Sequence, residues 1–317
     1  MVLQALTNLI GMDTSTPITS YIATHNSRLR CFVDKFLDIN LQKKKKVLRF
    51  KNTAVLKLTL TKSNIKLEMV YSGEIDLNEN KKGYTYYVKE GEEKPEGAVY
   101  EQERFPTFEK ENDKYHVDED KEYVFYIMRH GQATHNTKSG LSKMAGSLFT
   151  KDTPLTDKGI EQANNAGKKV KSLGLPSANY LFASDLQRTR STLNNFLKES
   201  GIAHPDNITI LACSHELEYV KGECDGNQGI TPAENVMNCT KDKCTKEDIL
   251  NLNWDNYYSF YDNNTRNCIT CKRKHCRKTD MIEIALEIIT GKDLPVAIPT
   301  GDEKRGGNKY YISYSPT

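Results

Sequence analysis

The stretch "YVFYIMRHGQATHN", residues 123–136, runs an apolar strand straight into Arg129, His130 and Gly131. A ligand-binding crevice in an α/β protein lies at the carboxyl end of a central strand, which is where this tripeptide falls. A neutral imidazole there can act as a nucleophile and form a covalent phosphohistidine. It then needs cations on the phosphoryl oxygens and an acid for the leaving oxygen. Arginine suits the cationic role, because its planar guanidinium grips phosphate through two bonds and stays charged at any working pH. Gly131 lets the backbone approach closely. The reading therefore turns on which partners His130 has and where they lie in the chain.

Downstream, "TPLTDKGIEQANNAGKKVKSLG" predicts a helix capped by Thr156, with Ile160, Ala163, Gly167 and Val170 on its inner stripe. "YLFASDLQRTRSTLNNFLKES" predicts a strand, a turn at Ser184 and a second helix carrying Leu186, Thr189, Leu193 and Phe196. Upstream, "TSYIATH" at 19–25 reads as a short buried strand. "NSRLRCFVDKFL" then follows as a helix capped by Asn26 or Ser27, with Leu29, Phe32, Val33, Phe36 and Leu37 on one face. "TAVLKLTL" alternates Ala54, Leu56, Leu58 and Leu60 inward, and with "IKLEMVY" it suggests an antiparallel hairpin at a sheet edge. Residues 74–121 are strongly acidic and read as a tether with strand-like pieces such as "YTYYV". Residues 222–278, rich in Asn, Lys and Cys, look like an insertion, and "TDMIEIALEII" at 279–289 is again a helix. Strands alternating with helices imply a mainly parallel sheet covered on both faces.

The totals narrow the class. The chain has 317 residues, 37% hydrophobic, with no long apolar run, so a membrane span is not expected. A net charge of +3 argues against a broad nucleic-acid footprint, despite the local basic runs at 43–49 and 271–278. The N-terminus lacks the marks of a secretory signal, so a cytoplasmic address is expected, and the N-x-S/T patterns at Asn207, Asn238 and Asn263 carry no weight there. The eight cysteines then read as free thiols rather than a disulfide framework. Cys239, Cys244, Cys268 and Cys271, with His275 and Cys276 nearby, contain one C-x-x-C pair in an irregular set, and unpaired thiols outweigh a structural zinc.

"RHGQATHN", "DTPLTDKGIEQA" and "FASDLQRTRSTL" resemble, in order and spacing, the histidine phosphatase (phosphoglycerate mutase-like) superfamily. The resemblance implies that His130 is the phosphoryl-accepting nucleophile. Arg129 and Arg188 become phosphate-binding arginines, and Asn136 with Gly131 lines the substrate pocket. It also implies an acidic proton donor after the next strand. "ITILACSHELEY" offers Glu216 and Glu218, of which Glu216 fits the pattern better. A donor of this kind needs a partly apolar site to hold its proton near neutrality.

The family's second histidine normally follows a C-terminal strand, where this chain has Thr300-Gly301, and His275 sits in a basic loop without a preceding strand. "SYIATHNSRLRCFVDKFL" instead looks like the second-histidine strand and its helix, although Thr24-His25-Asn26 replaces Ser-His-Gly. "RFKNTAVLKLTL", with Asn52 before the hairpin, and "IKLEMVY" resemble the family's last two strands. The resemblance thus implies a circular permutation with His25 as the second catalytic histidine. Termini at the surface and the slow growth of loop-closure entropy make such a rearrangement tolerable.

The expected architecture is an α/β, three-layer α/β/α sandwich with a mixed, mainly parallel sheet, histidine phosphatase-like and circularly permuted. Residues 1–73 form the permuted segment, 74–121 the acidic tether, and 122–317 the main part of the domain with its insertion at 222–278. The expected activity is hydrolysis of a phosphorylated small molecule or phosphoprotein, with no cofactor and no catalytic metal. A phosphoglycerate mutase-like phosphoryl transferase and an inactive phosphate-ester-binding relative remain alternatives. Membrane and nucleic-acid partners are not expected, and the sequence leaves the oligomeric state open.

Overall fold

A computed structural model describes residues 16–37, 47–75, 84–92, 101–134, 153–211, 214, 251–253, 261–262, 267–268 and 281–291 of the chain. Their strands are β1 (Ile18–Thr24), β2 (Val47–Arg49), β3 (Val55–Leu60), β4 (Asn64–Tyr71), β5 (Tyr84–Lys89), β6 (Glu101–Phe105), β7 (Phe108–Glu111), β8 (Tyr123–Arg129), β9 (Tyr180–Ala183), β10 (Asn207–Ile210), β11 (Asn251–Asn253), β12 (Tyr261–Asp262) and β13 (Asn267–Cys268). The helices are α1 (Asn26–Leu37), α2 (Asp157–Ser172), α3 (Gln187–Ser200) and α4 (Met281–Thr290).

Eight strands form one sheet in the order β11-β10-β9-β1-β8-β3-β4-β7. The pairs from β11 across to β8 are parallel, and those from β8 to β7 are antiparallel. This is the mixed, mostly parallel α/β sheet that the alternation of strand and helix patterns implies. All seven residues of β8 are buried, which requires cover on both faces of the sheet. On one face Tyr21 of β1 stacks on Tyr126 of β8 at 4.8 Å and meets Phe196 of α3 at 6.1 Å. Its hydroxyl donates to the carbonyl of Pro176 at 2.8 Å. On the other face Phe50, Tyr87, Phe105 and Phe108 form a chain of aromatic contacts, the first tilted and the other two edge-on. Each such ring removed from water contributes about 2 kcal/mol.

The helices follow their sequence signals. Thr156 caps α2 by accepting from the N–H of Gly159 at 3.0 Å, and Ala163, Gly167 and Val170 are buried, with Ile160 half-buried. Gly167 lies against the Phe196 carbonyl, where a methyl group would collide, and this lets α2 and α3 pack closely. Leu29, Phe32 and Val33 are the buried face of α1. The expectations for Phe36 and Leu37 fall on side chains outside the description.

Three details differ from the expected layout. The hairpin β3–β4 is not at the edge, because β7 from the acidic stretch pairs with β4 beyond it. The acidic stretch 74–121 also supplies β5 and β6, which join β2 in a three-stranded sheet. A few apolar residues among the charges anchor these strands, Tyr86, Tyr87, Val88 and Phe105 being buried, while a composition rule counts only the charge. Finally, β11 comes from the Cys-rich segment and pairs with β10, so that segment is not wholly an excursion from the sheet. The C-terminal strand expected near 294–299 lies outside the described residues. Among the described residues no helix is long and apolar enough to cross a membrane, and no cluster of potential metal ligands occurs. The cysteine set considered for zinc lies almost entirely outside them.

Candidate active site at the ends of the central strands

The two histidines meet because strand pairing puts them there. β1 and β8 run parallel in register, with Thr24 opposite Arg129, so His25 and His130 are each one residue past a shared end. The ladder continues one step further, the His130 N–H donating to the Thr24 carbonyl at 3.0 Å. The ring centroids are 5.1 Å apart and nearly edge-on, and the residues are 0% and 2% exposed, respectively. Residues 105 apart in the sequence thus lie side by side, both buried.

The protonation pattern of His130 follows from its neighbour. Its Nδ1 lies 2.6 Å from the Gly131 carbonyl oxygen, which can only accept, so Nδ1 carries the proton and donates. Nε2 is then the nitrogen with an in-plane lone pair, as a nucleophile requires. Gly131 is itself held: its N–H donates to Thr192 Oγ1 at 3.0 Å, and that hydroxyl donates to the Arg188 carbonyl at 2.6 Å. Gln132 ties the loop to α2, its N–H donating to Gln162 Oε1 at 2.9 Å and its carbonyl accepting from Thr156 N–H at 3.0 Å. A methyl on Gly131 would stand 2.5 Å from the Gly159 carbonyl, so this close approach requires glycine.

Arg129 is 8% exposed; its guanidinium donates to the Phe50 carbonyl at 2.6 Å and its N–H to the Ala54 carbonyl at 3.0 Å. Asn26 fastens the same segment from α1, its Oδ1 accepting from the Phe50 N–H at 2.9 Å. Arg188, in the first turn of α3, is 4% exposed and Arg190 is fully buried, so neither is the solvated surface charge that an amphipathic helix would otherwise carry. The amino ends of α1 and α3 both open at this end of the sheet, adding positive dipole ends to the arginines. Lys51, one residue beyond Phe50, is 4% exposed, and burial lowers its ammonium pKa, partly offset by Glu92.

His25 bonds through Nε2 to Ser184 Oγ at 2.9 Å, and Ser184 donates onward to Asp185 Oδ1 at 2.9 Å. Ser184 stands one residue past β9, its N–H donating to the Ala23 carbonyl at 3.1 Å. In the sequence Ser184 reads only as a turn, and Asp185 and Thr192 carry no motif of their own. Their signal is position, since each flanks a strand end or helix start next to a site residue. Glu216, Glu218 and Asn136 lie outside the described residues. The last described residue before the glutamates, Ser214, accepts through its carbonyl from Thr24 Oγ1 at 3.0 Å.

Comparison with known proteins covers this same region. The family model of the histidine phosphatase superfamily (branch 1) matches residues 125–225. A 2,3-bisphosphoglycerate-dependent phosphoglycerate mutase of Bradyrhizobium sp. (strain ORS 278) is 39% identical over 82 residues, covering 25% of this chain and 35% of that enzyme. A mutase of the same description from Rhodopseudomonas palustris (strain BisB18) is 42% identical over 80 residues, covering 25% and 34%. Broad-specificity phosphatase YOR283W of Saccharomyces cerevisiae is 34% identical over 122 residues, covering 38% of this chain and 48% of that protein. The chain thus spans about a third of the mutases and half of the phosphatase. No solved structure matches it significantly. The matched segment, which carries His130, Arg188 and the helices that hold them, is similar to the histidine phosphatase superfamily.

Proposed function

We propose that this chain is a phosphoric monoester hydrolase working through a phosphohistidine on His130. The observation that carries the reading is the His130 geometry: Nδ1–H is committed to the Gly131 carbonyl, Nε2 presents a lone pair, and a second imidazole lies 5.1 Å away. In the first step Nε2 attacks phosphorus in line, forming the N–P bond as the bond to the ester oxygen breaks. Glu216 supplies the proton to the leaving alcohol, while Arg129, Arg188 and His25 balance charge on the equatorial oxygens and Asn136 with Gly131 lines the pocket. In the second step Glu216, now ionised, takes a proton from water. The water oxygen attacks phosphorus, and the N–P bond breaks to release inorganic phosphate. The chemistry calls for no metal or cofactor.

His25 enters this scheme through circular permutation, with residues 1–73 supplying the family's closing segment ahead of its opening one. The in-register pairing of β1 with β8 and the antiparallel run β8-β3-β4 support that ordering. The substrate is a phosphorylated small molecule or a phosphoprotein. The mutase reading rests on the names of several relatives; it predicts return of the phosphoryl group to a bound product, with little free phosphate.

The test is rapid quench with p-nitrophenyl phosphate under alkaline conditions, followed by mass spectrometry of the labelled peptide. The parent should carry an acid-labile phosphoryl group on His130 and release phosphate without an exchange cofactor, and His130→Ala should do neither. His25→Ala should slow hydrolysis by roughly a hundredfold or more. A His25→Ala enzyme as fast as the parent would remove that residue from the mechanism and the permutation with it. A parent that never labels would make the chain an inactive phosphate-ester binder.

A further inference from the structure

We propose that Asp185, acting through Ser184, locks His25 in its Nε2–H tautomer and so makes Nδ1 the only ring nitrogen that can exchange a proton in the site. The proposal rests on the reading of His25 as the second histidine and deepens it, because the reaction scheme leaves the tautomer of that ring undefined.

A serine hydroxyl has one proton to give and two lone pairs to fill. Ser184 gives its proton to Asp185 Oδ1 at 2.9 Å, and its oxygen lies 2.9 Å from His25 Nε2, with the N–H of Leu186 at a longer 3.4 Å. With the hydroxyl proton spent on the carboxylate, the contact to His25 is a hydrogen bond only if Nε2 is the donor. The reverse arrangement would turn the Ser184 proton to Nε2 and set a serine lone pair against a carboxylate oxygen. Both residues are almost fully buried, at 0% and 1% exposure, so water does not relieve that clash. The neutral tautomer ratio should therefore favour Nε2–H by roughly tenfold or more.

The consequence concerns the pair of rings. His130 is the Nδ1–H tautomer and His25 the Nε2–H tautomer, so the two imidazoles 5.1 Å apart are set in opposite senses. One ring offers a lone pair to phosphorus through Nε2. The other has Nε2 tied back into the protein, and any second proton, making the imidazolium that favours phosphoryl oxygens, must enter at Nδ1. The buried charged groups on neighbouring elements include Arg28 and Arg30 on α1, Lys51 beyond Phe50, Arg129 on β8 and Arg188 and Arg190 on α3, and the carboxylate of Asp185 reaches the ring through Ser184. Asp185 and Ser184 are positioning residues here.

The experiment is long-range ¹H–¹⁵N correlation of the imidazole rings in the uniformly ¹⁵N-labelled full chain, with His25 assigned by its loss in His25→Ala. The parent should show His25 as Nε2–H and His130 as Nδ1–H. In Asp185→Asn, the carboxamide N–H can turn to Ser184 and send the serine proton to Nε2, so His25 should shift toward Nδ1–H. Ser184→Ala should leave the tautomers mixed, and both variants should lower kcat on p-nitrophenyl phosphate roughly tenfold to a hundredfold with KM little changed. Ser184→Thr, which keeps the hydroxyl, should restore both tautomer and rate. A parent His25 in the Nδ1–H form, or an Asp185→Asn spectrum identical to the parent's, would overturn the proposal, and the parent spectrum decides even if a variant fails to fold. Should the tautomers behave as stated while no phosphoryl group ever reaches His130, the functional reading falls and the lock stands.

Discussion

Gly131→Ala isolates the step on which the nucleophile depends. A Cβ built on Gly131 lies 2.5 Å from the Gly159 carbonyl oxygen and 3.1 Å from both the Gly159 carbonyl carbon and Cα, against the 3.4 Å at which ordinary contact begins. The obstacle is helix backbone, pinned by the Thr156 cap, so it cannot rotate away as a side chain would. Relief requires the 131 backbone to retreat by about 0.9 Å, and overpacking of this kind costs about 1–3 kcal/mol. The same retreat acts on the 2.6 Å bond from His130 Nδ1 to the Gly131 carbonyl, which ceases to be a hydrogen bond near 3.5 Å. Stability and nucleophile orientation should therefore fall together. Urea unfolding should register the loss of about 1–3 kcal/mol, and p-nitrophenyl phosphate hydrolysis should drop roughly tenfold or more. A variant within about 0.5 kcal/mol of the parent and equally active would show that the contact with Gly159 does not constrain the loop.

Alkaline pH should unfold the protein steeply. Burial and the Asp118 carboxylate hold the Tyr123 hydroxyl up at about 12, burial and the Glu68 and Glu122 charges do the same for Tyr126, and burial raises Tyr21 and Tyr71 further. The folded protein keeps these protons where the unfolded chain loses them near pH 10, so the stabilisation is complete below that pH and lost above it. Each tyrosine contributes about 1.4 kcal/mol of lost stability per pH unit between 10 and 12. Urea midpoints unchanged from pH 9.5 to 11 would refute this. Lys51→Met replaces a buried cation by an apolar chain of similar length, so it should raise the urea midpoint at pH 7. A loss of more than about 1 kcal/mol would mean that the ammonium is a structural partner instead.

The local signals that proved legible were those in which one residue type has one job. Thr156 caps its helix, Gly131 and Gly167 sit where backbones touch, and the alternation of Leu56, Leu58 and Leu60 places all three in the core. The acidic stretch was harder to read, because the partners of β5 and β6 are each other and β2, and strand pairing across such separations leaves no period in the local sequence. The same limit hid Asp185. Beside Ser184 in "FASDLQ" it looks like a turn residue, and only the pairing of β9 with β1 brings its serine to His25.

The site needs registers more than chain order. β1 sits between β8 and β9, with Thr24 opposite Arg129 at the shared end and β9 ending one position earlier, Ala183 opposite Ala23. The next residue on each strand is His25, His130 and Ser184, so three residues from three distant parts of the chain become neighbours by one geometric cause. A slip of one residue in β1 would turn its side chains to the opposite faces of the sheet and take the imidazole of His25 away from both partners. The seven paired positions with β8 and four with β9 resist that slip, because each inward residue of β1 from Thr19 to Thr24 is buried in its present register. Since β1 lies between β8 and β9, its segment cannot be an appendage to a finished domain: without it those two strands have no common neighbour and the two histidines are not brought together. Delivering this strand first or last in the chain therefore reaches the same constellation, provided the register is kept.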